Sequence, residues 1–125
     1  MMDSLSTMAG MMRMNLNPSE IEAIDASLAI SSEHPSKNGF QSLSFEEQSA
    51  VLKWIQEHCQ QGDNVNYTMT SNHLARHCSL ALKESGFDQQ VDNLAMKTAM
   101  KICGFDATVK PVEFHHYRFK YQKEP

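Results

Sequence analysis

Half-cystine frameworks, long apolar runs and surplus positive charge are all missing from this chain, and each absence excludes a class of protein. The three cysteines, Cys59, Cys78 and Cys103, are an odd number with no C-x-x-C pair. That pattern argues against a disulfide scaffold and for a reducing compartment, the cytoplasm. No apolar stretch approaches the roughly 20 residues that a membrane-spanning helix needs. The opening MMDSLSTMAGMMRM breaks its methionines with Asp3, Ser4, Ser6, Thr7 and Gly10, so it lacks the continuous apolar stretch of a signal peptide. Residues 1 to 16 are expected to form a flexible, Met-rich arm.

Catalytic motifs are equally sparse. There is no Gly-rich phosphate loop and no nucleophile elbow. His73 and His77 stand one helical turn apart, but Leu74 follows His73 where a zinc hydrolase would carry glutamate. With His115, His116 and the three cysteines, they are better explained as helix histidines and core thiols than as a metal site. Glu46 and Glu47 fall at a helix start, where the helix dipole accounts for them. The expectation is a non-enzyme, with no catalytic residue, metal, cofactor or small-molecule substrate.

Lys and Arg number 11 against 15 Asp and Glu, a net charge of −4. The balance is uneven along the chain: residues 1 to 66 carry three basic against nine acidic side chains, and residues 91 to 125 carry six against four. Only the C-terminal third is basic. An anionic partner would be met at that end, with a weak electrostatic footprint.

Helix signals dominate what is present. Asn17-Pro18-Ser19-Glu20 joins an N-cap side chain to a proline at the first helical position, and Ile21, Ile24 and Leu28 supply an apolar stripe to about Ile30. Residues 31 to 43 are rich in Ser, Pro, Asn and Gly and suit a loop, with Phe40 and Leu43 pinned to the core. Ser44-Phe45-Glu46-Glu47 is a capping box that opens a core helix to about residue 60, with Trp54 as its largest apolar side chain and Gly62 as a left-handed stop. Residues 63 to 69 are a connection with a possible short extended piece, and Thr70 or Ser71 caps the next helix.

Two further helices end alike. Ala81 to Asp88, ALKESGFD, is echoed eighteen residues later by Ala99 to Asp106, AMKICGFD. In both, Gly at the C′ position followed by Phe predicts a helix closed by a left-handed residue and a hydrophobic fold-back. The third core helix begins at the Asp92 cap. Beyond it, Tyr117, Phe119 and Tyr121 alternate with Arg118 and Lys120, a strand pattern, and a hairpin turn is expected near Pro111 to Phe114. The fold class is mainly α with a small C-terminal β-hairpin (α+β), in winged-helix order: a helix-turn-helix followed by a wing. The domain division is an arm (1 to 16), an accessory helix and loop (17 to 43), and a winged-helix-like domain (44 to 123).

Tyr67, the Arg76-His77 pair, then Asn93, Lys97, Ala99, Met100, Gly104 and Phe105, and finally Tyr117 and Phe119 together resemble a group of small phage and prophage proteins. The resemblance covers residues 67 to 121. The stretch Asp88-Gln89-Gln90-Val91 departs from the group, lacking its tyrosine-valine strand start. The resemblance implies a winged-helix-like protein of mobile-element origin in a group largely without assigned activity.

Asn93, Lys97 and Lys101 recur at i, i+4 and i+8, which would form one polar stripe on the third core helix. Facing outward, it would act as a recognition helix in the major groove, with Arg118, Lys120 and Lys123 on the hairpin tracking phosphates. The expected function is accessory or regulatory DNA binding through these six residues. The alternative is a protein-interaction module that binds a host or phage protein, or a second copy of itself, through the Met-rich arm and the helix from residue 18 to 30. Neither reading involves a membrane.

Overall fold

The computed structural model describes residues 17–29, 39–88, 90–108 and 114–124; the Met-rich arm lies outside them. The chain is mostly helical with a small antiparallel sheet, an α+β arrangement. Helix α1 spans Pro18–Leu28, a 3-10 turn Phe40–Ser42, α2 Phe45–His58, strand β1 Cys59–Asn66, α3 Ser71–Glu84, α4 Asn93–Ile102, and strand β2 Tyr117–Tyr121. No helix among the described residues is long and apolar enough to cross a membrane.

Each helix start is capped by the side chain its sequence offers. Asn17 Oδ1 accepts from the Glu20 N–H at 2.9 Å, and the Asn17 amide donates to the Glu20 carboxylate at 3.1 Å. The Ser44–Glu47 capping box is complete in both directions. Thr70 Oγ1 accepts from the His73 N–H, and Asp92 Oδ1 from the Ala95 N–H. These bonds satisfy N–H groups that have no partner within the helix.

The two similar helix ends have one backbone design. At α3 the Phe87 N–H donates to the Leu82 carbonyl and the Gly86 N–H to the Lys83 carbonyl; at α4 the Phe105 N–H donates to Met100 and the Gly104 N–H to Lys101. Both are Schellman ends, with Gly86 at φ 97° and Gly104 at φ 91°. The turn between them is fastened by Ser79, whose Oγ donates to the Val91 carbonyl and accepts from the Val91 N–H, each at 2.9 Å.

Gly62 is no helix stop. The chain leaves α2 directly into β1 at Cys59, and Gly62 is a strand residue at an irregular stretch between Gln61 and Val65. A Cβ there would lie 3.2 Å from the Phe119 backbone, so glycine permits the close approach of β2. The register pairs Cys59 with Tyr121, Gln60 with Lys120, Val65 with Arg118 and Asn66 with Tyr117. The principal partner of the C-terminal strand is therefore the segment after α2, expected to be mostly helix end and connection. The expected C-terminal hairpin is present as one bridge, Ala107 to Tyr117, and the Thr108 N–H bond to the His116 carbonyl; residues 109–113 of its turn lie outside the described residues.

One core joins these elements. Tyr117 and Phe119 point inward from β2 into one cluster with Trp54 and Ile55 of α2, Leu74 and Cys78 of α3, and Met96 and Met100 of α4. Ile21, Phe40 and Leu43 belong to the same cluster, so α1 and the 3-10 turn pack on the rest through shared apolar side chains. Helix α1 lies against α4 and the 3-10 turn. It ends at Leu28, and Ala29 is already extended.

Candidate nucleic-acid interface

Helix α4 is the innermost helix of the fold. Every residue from Leu94 to Met100 is buried, Lys97 included, at 1% exposure. The expectation of an outward Asn93, Lys97, Lys101 stripe is corrected accordingly. Lys97 Nζ donates to the Leu28 carbonyl oxygen at 2.9 Å, satisfying a last-turn acceptor at the negative end of α1. Asn93 is half-buried and its Oδ1 accepts from Ser71 Oγ at 2.5 Å. Lys101 alone of the three is exposed, and it lies 3.9 Å from the Asp106 carboxylate.

The cover over α4 is held by a carboxylate. Asp25 of α1 accepts from the backbone N–H groups of Phe40 and Gln41, each at 3.0 Å, and from Thr98 Oγ1 of α4 at 2.5 Å. A buried carboxylate is tolerated when its lone pairs are filled in this way. Gly39, at φ 123°, lets the chain pass so close that a Cβ would stand 2.8 Å from Asp25 Oδ2. The neighbouring Asp92 carboxyl is raised by burial, against the lowering effect of hydrogen bonds from the Ala95 and Gly39 backbone. The helix expected as a protein-docking element is thus engaged with its own chain along its Ile21 and Asp25 face.

The outward face of the sheet is different. Along residues 114 to 120, exposure alternates: Phe114, His116, Arg118 and Lys120 are exposed or half-exposed, and His115, Tyr117 and Phe119 are buried. Strand geometry sends alternate side chains of β2 to opposite faces, so Arg118 and Lys120 share the outward face, with half-exposed His116 just before the strand and exposed Phe114 in the bend that precedes it. Arg118 Nη1 donates to the Asp63 carbonyl oxygen at 3.1 Å, which fixes the base of the guanidinium against β1. Lys123, also exposed, follows just beyond the strand. The strand end is held by three bonds between α2 and Gln122: its N–H donates to the His58 carbonyl at 2.8 Å, His58 Nδ1–H donates to its carbonyl oxygen at 2.6 Å, and its side-chain amide donates to the Glu57 carbonyl at 3.3 Å.

Tyr67 stands across from His116, with ring centroids 5.4 Å apart and planes tilted by 54°. It is 75% exposed. Its backbone is set by Asn66, whose Oδ1 accepts from both the Thr68 and Met69 N–H groups at 3.0 Å, a local turn of the kind asparagine favours. Sequence reasoning used Tyr67 only as part of the family resemblance and overlooked His116 and Phe114 as surface groups. The signal was the strand alternation itself, extended two residues toward the N-terminus.

Of the six residues predicted from sequence, Arg118 and Lys120 come together on one face with Lys123 beside them. Lys97 is buried and Asn93 half-buried, so the predicted outward stripe of α4 does not form, and Lys101 is exposed beside Asp106. Among the described residues, no group of three or more His, Cys, Asp or Glu side chains is arranged to hold a metal ion. His73 Nδ1 is instead engaged with Thr70 Oγ1 at 2.9 Å, and His77 lies against Tyr121. The thiols are free; burial pushes Cys59 and Cys103 up to about 12 and raises Cys78 further. They remain protonated and unreactive at neutral pH.

Compared with protein-family models, curated proteins and solved structures, the chain matches none.

Proposed function

We propose that this chain is a nucleic-acid-binding accessory protein that makes its contacts through the outward face of the β1–β2 ribbon. The observation that carries this reading is the placement of Arg118 and Lys120, exposed and successive on one face of β2. Cations held in register on a rigid strand can follow a phosphate backbone, and β-ribbons are an established way of presenting side chains to a groove. Gln60, opposite Lys120, adds an amide capable of donating and accepting.

The order helix, strand, helix, helix, strand, with α4 following a tight turn, supports a winged-helix-like reading of residues 44 to 123. In this reading the wing is the contact surface and α4 is a structural helix. The net charge of −4 limits phosphate-driven affinity, so binding is local and salt-sensitive. A phage or prophage accessory or regulatory role, exercised in the cytoplasm, fits the resemblance of residues 67 to 121 and the reduced cysteines.

The test is fluorescence anisotropy of labelled DNA at two salt concentrations, with Arg118→Glu/Lys120→Glu as the comparison. The expected result is micromolar binding that weakens with salt and is lost in the double variant. Each phosphate contact removed lowers the slope of log K against log salt by about 1. Binding that is unchanged in the double variant would sink this reading.

A specific observation favours a second reading, a protein contact on α3. Leu80 is 63% exposed between Arg76 and Lys83, beside a groove of about 470 Å³ that reaches Phe87. An exposed leucine beside a groove lined by Phe87, Arg76, Lys83 and Asp88 suits a partly apolar, charged peptide of a host or phage protein. Leu80→Ser would weaken such a contact and leave nucleic-acid binding unchanged.

A further inference from the structure

The ribbon face carries more than cations. His116 stands just before the strand cations Arg118 and Lys120, with Tyr67 opposite it, and Phe114, 43% exposed, precedes them in a bend. Rings occupy one end and cations the other. Tyr67 and Phe114 are two of the four large hydrophobic side chains exposed among the described residues, and Tyr67 is brought beside the ribbon by its contact with His116.

An exposed tyrosine forgoes the burial that usually makes aromatic side chains central to a core. Here two features nonetheless restrict it. The Asn66 turn sets its backbone, and the His116 ring backs one side. A ring held in place and open to solvent loses little conformational freedom when a planar partner settles on it. Strand geometry spaces successive outward side chains by about 6.8 Å, so a chain of nucleotides laid along β2 would meet rings and cations in succession.

The geometry points to a site for single-stranded nucleic acid, with an unpaired base stacking on Tyr67 while Arg118 and Lys120 hold the adjoining phosphates. This rests on the ribbon being the nucleic-acid contact, and it narrows the ligand. In a duplex the faces of the bases are covered by their neighbours, so Tyr67 has nothing to stack on. Stacking is also the contribution that a chain of negative net charge most needs, because it does not depend on phosphate neutralisation. The shared chemistry is an unpaired base on a phosphodiester chain, whether DNA or RNA.

The experiment titrates the full chain into three fluorescent probes: oligo-dT of about 12 nucleotides, a length within the range of known single-strand sites, the matching oligo-U, and a duplex of equal length. Wild type is compared with Tyr67→Ala, Tyr67→Phe and Arg118→Glu/Lys120→Glu, with circular dichroism as the check that each folds. The expected result is single-strand binding about 10-fold or more tighter than duplex binding. Tyr67→Ala should erase that preference by lowering single-strand affinity alone, and Tyr67→Phe should keep it. The ratio of oligo-dT to oligo-U affinity identifies the natural strand. Duplex binding as tight as single-strand binding, or a folded Tyr67→Ala with unchanged preference, overturns the single-strand assignment while the cationic ribbon stands. Absence of binding to all three probes overturns both.

Discussion

Lys97 Nζ donates to the carbonyl oxygen of Leu28, so the only lysine inside the core of α4 anchors the end of α1. Lys97→Ala removes that donor and most of a buried side chain at once. It should destabilise the fold by about 2–4 kcal/mol, combining a cavity with an unsatisfied acceptor. Lys97→Met, which keeps the length of the side chain and removes the buried charge, should cost less. Urea midpoints give both values, and nucleic-acid affinity of the folded protein should not change in either variant.

Asp25→Ala strips three donors of their acceptor. With the Phe40 and Gln41 N–H groups and the Thr98 hydroxyl left unpaired, the loss should be about 3–5 kcal/mol. Hydrogen exchange is the more informative readout. Amides of α1 should lose protection well before those of α3, because α1 reaches the core mainly through Ile21 and Asp25.

Two glycine substitutions should separate crowding from backbone conformation. Gly39 and Gly86 both have positive φ, but a Cβ at residue 39 would strike Asp25, and at residue 86 it would meet open space. Gly86→Ala should cost on the order of 1 kcal/mol for the left-handed conformation alone. Gly39→Ala should cost clearly more, measured as the difference between their urea midpoints.

Stability should fall with acid through a single imidazole. His115 is buried, and burial first, then Lys97 and His116, hold it down at about 4, against 6.5 for the free group. The unfolded chain therefore takes up a proton near pH 6.5 that the folded chain refuses. Stability is fully present above that pH and declines as pH falls toward 4, by roughly 1–3 kcal/mol in total. His115→Phe should flatten this part of the pH profile, followed by thermal unfolding at a series of pH values.

Helix starts, helix stops and the inward set of β2 were legible in the sequence because each depends on neighbouring residues. A serine three residues before a glutamate, or a glycine before a phenylalanine, carries its own geometry. Two features were not legible for the opposite reason. The partner of β2 is a stretch of Gln, Gly, Asp and Asn with little strand propensity, and it is extended because Tyr117 to Tyr121 pair with it. The burial of Lys97 follows from the packing of α1, which local spacing does not reveal. A partial clue was nevertheless present: Leu94, Ala95, Met96, Ala99, Met100 and Ile102 cover about two thirds of the circumference of α4, a wider apolar arc than a surface helix needs. For the interface, the alternating cations Arg118 and Lys120 were visible from sequence, and Tyr67 came to the same face through the β1 register alone.

That register also sets an order of assembly. Helices α3 and α4, with their capped starts and glycine stops, can be outlined from local contacts, whereas Cys59 meets Tyr121 only after both helices have been made and folded back between them. Non-local pairings of this kind form late because the intervening chain must be closed first. The ribbon would then be completed on a helical platform already in place, and its outward face would be the last surface of the protein to mature.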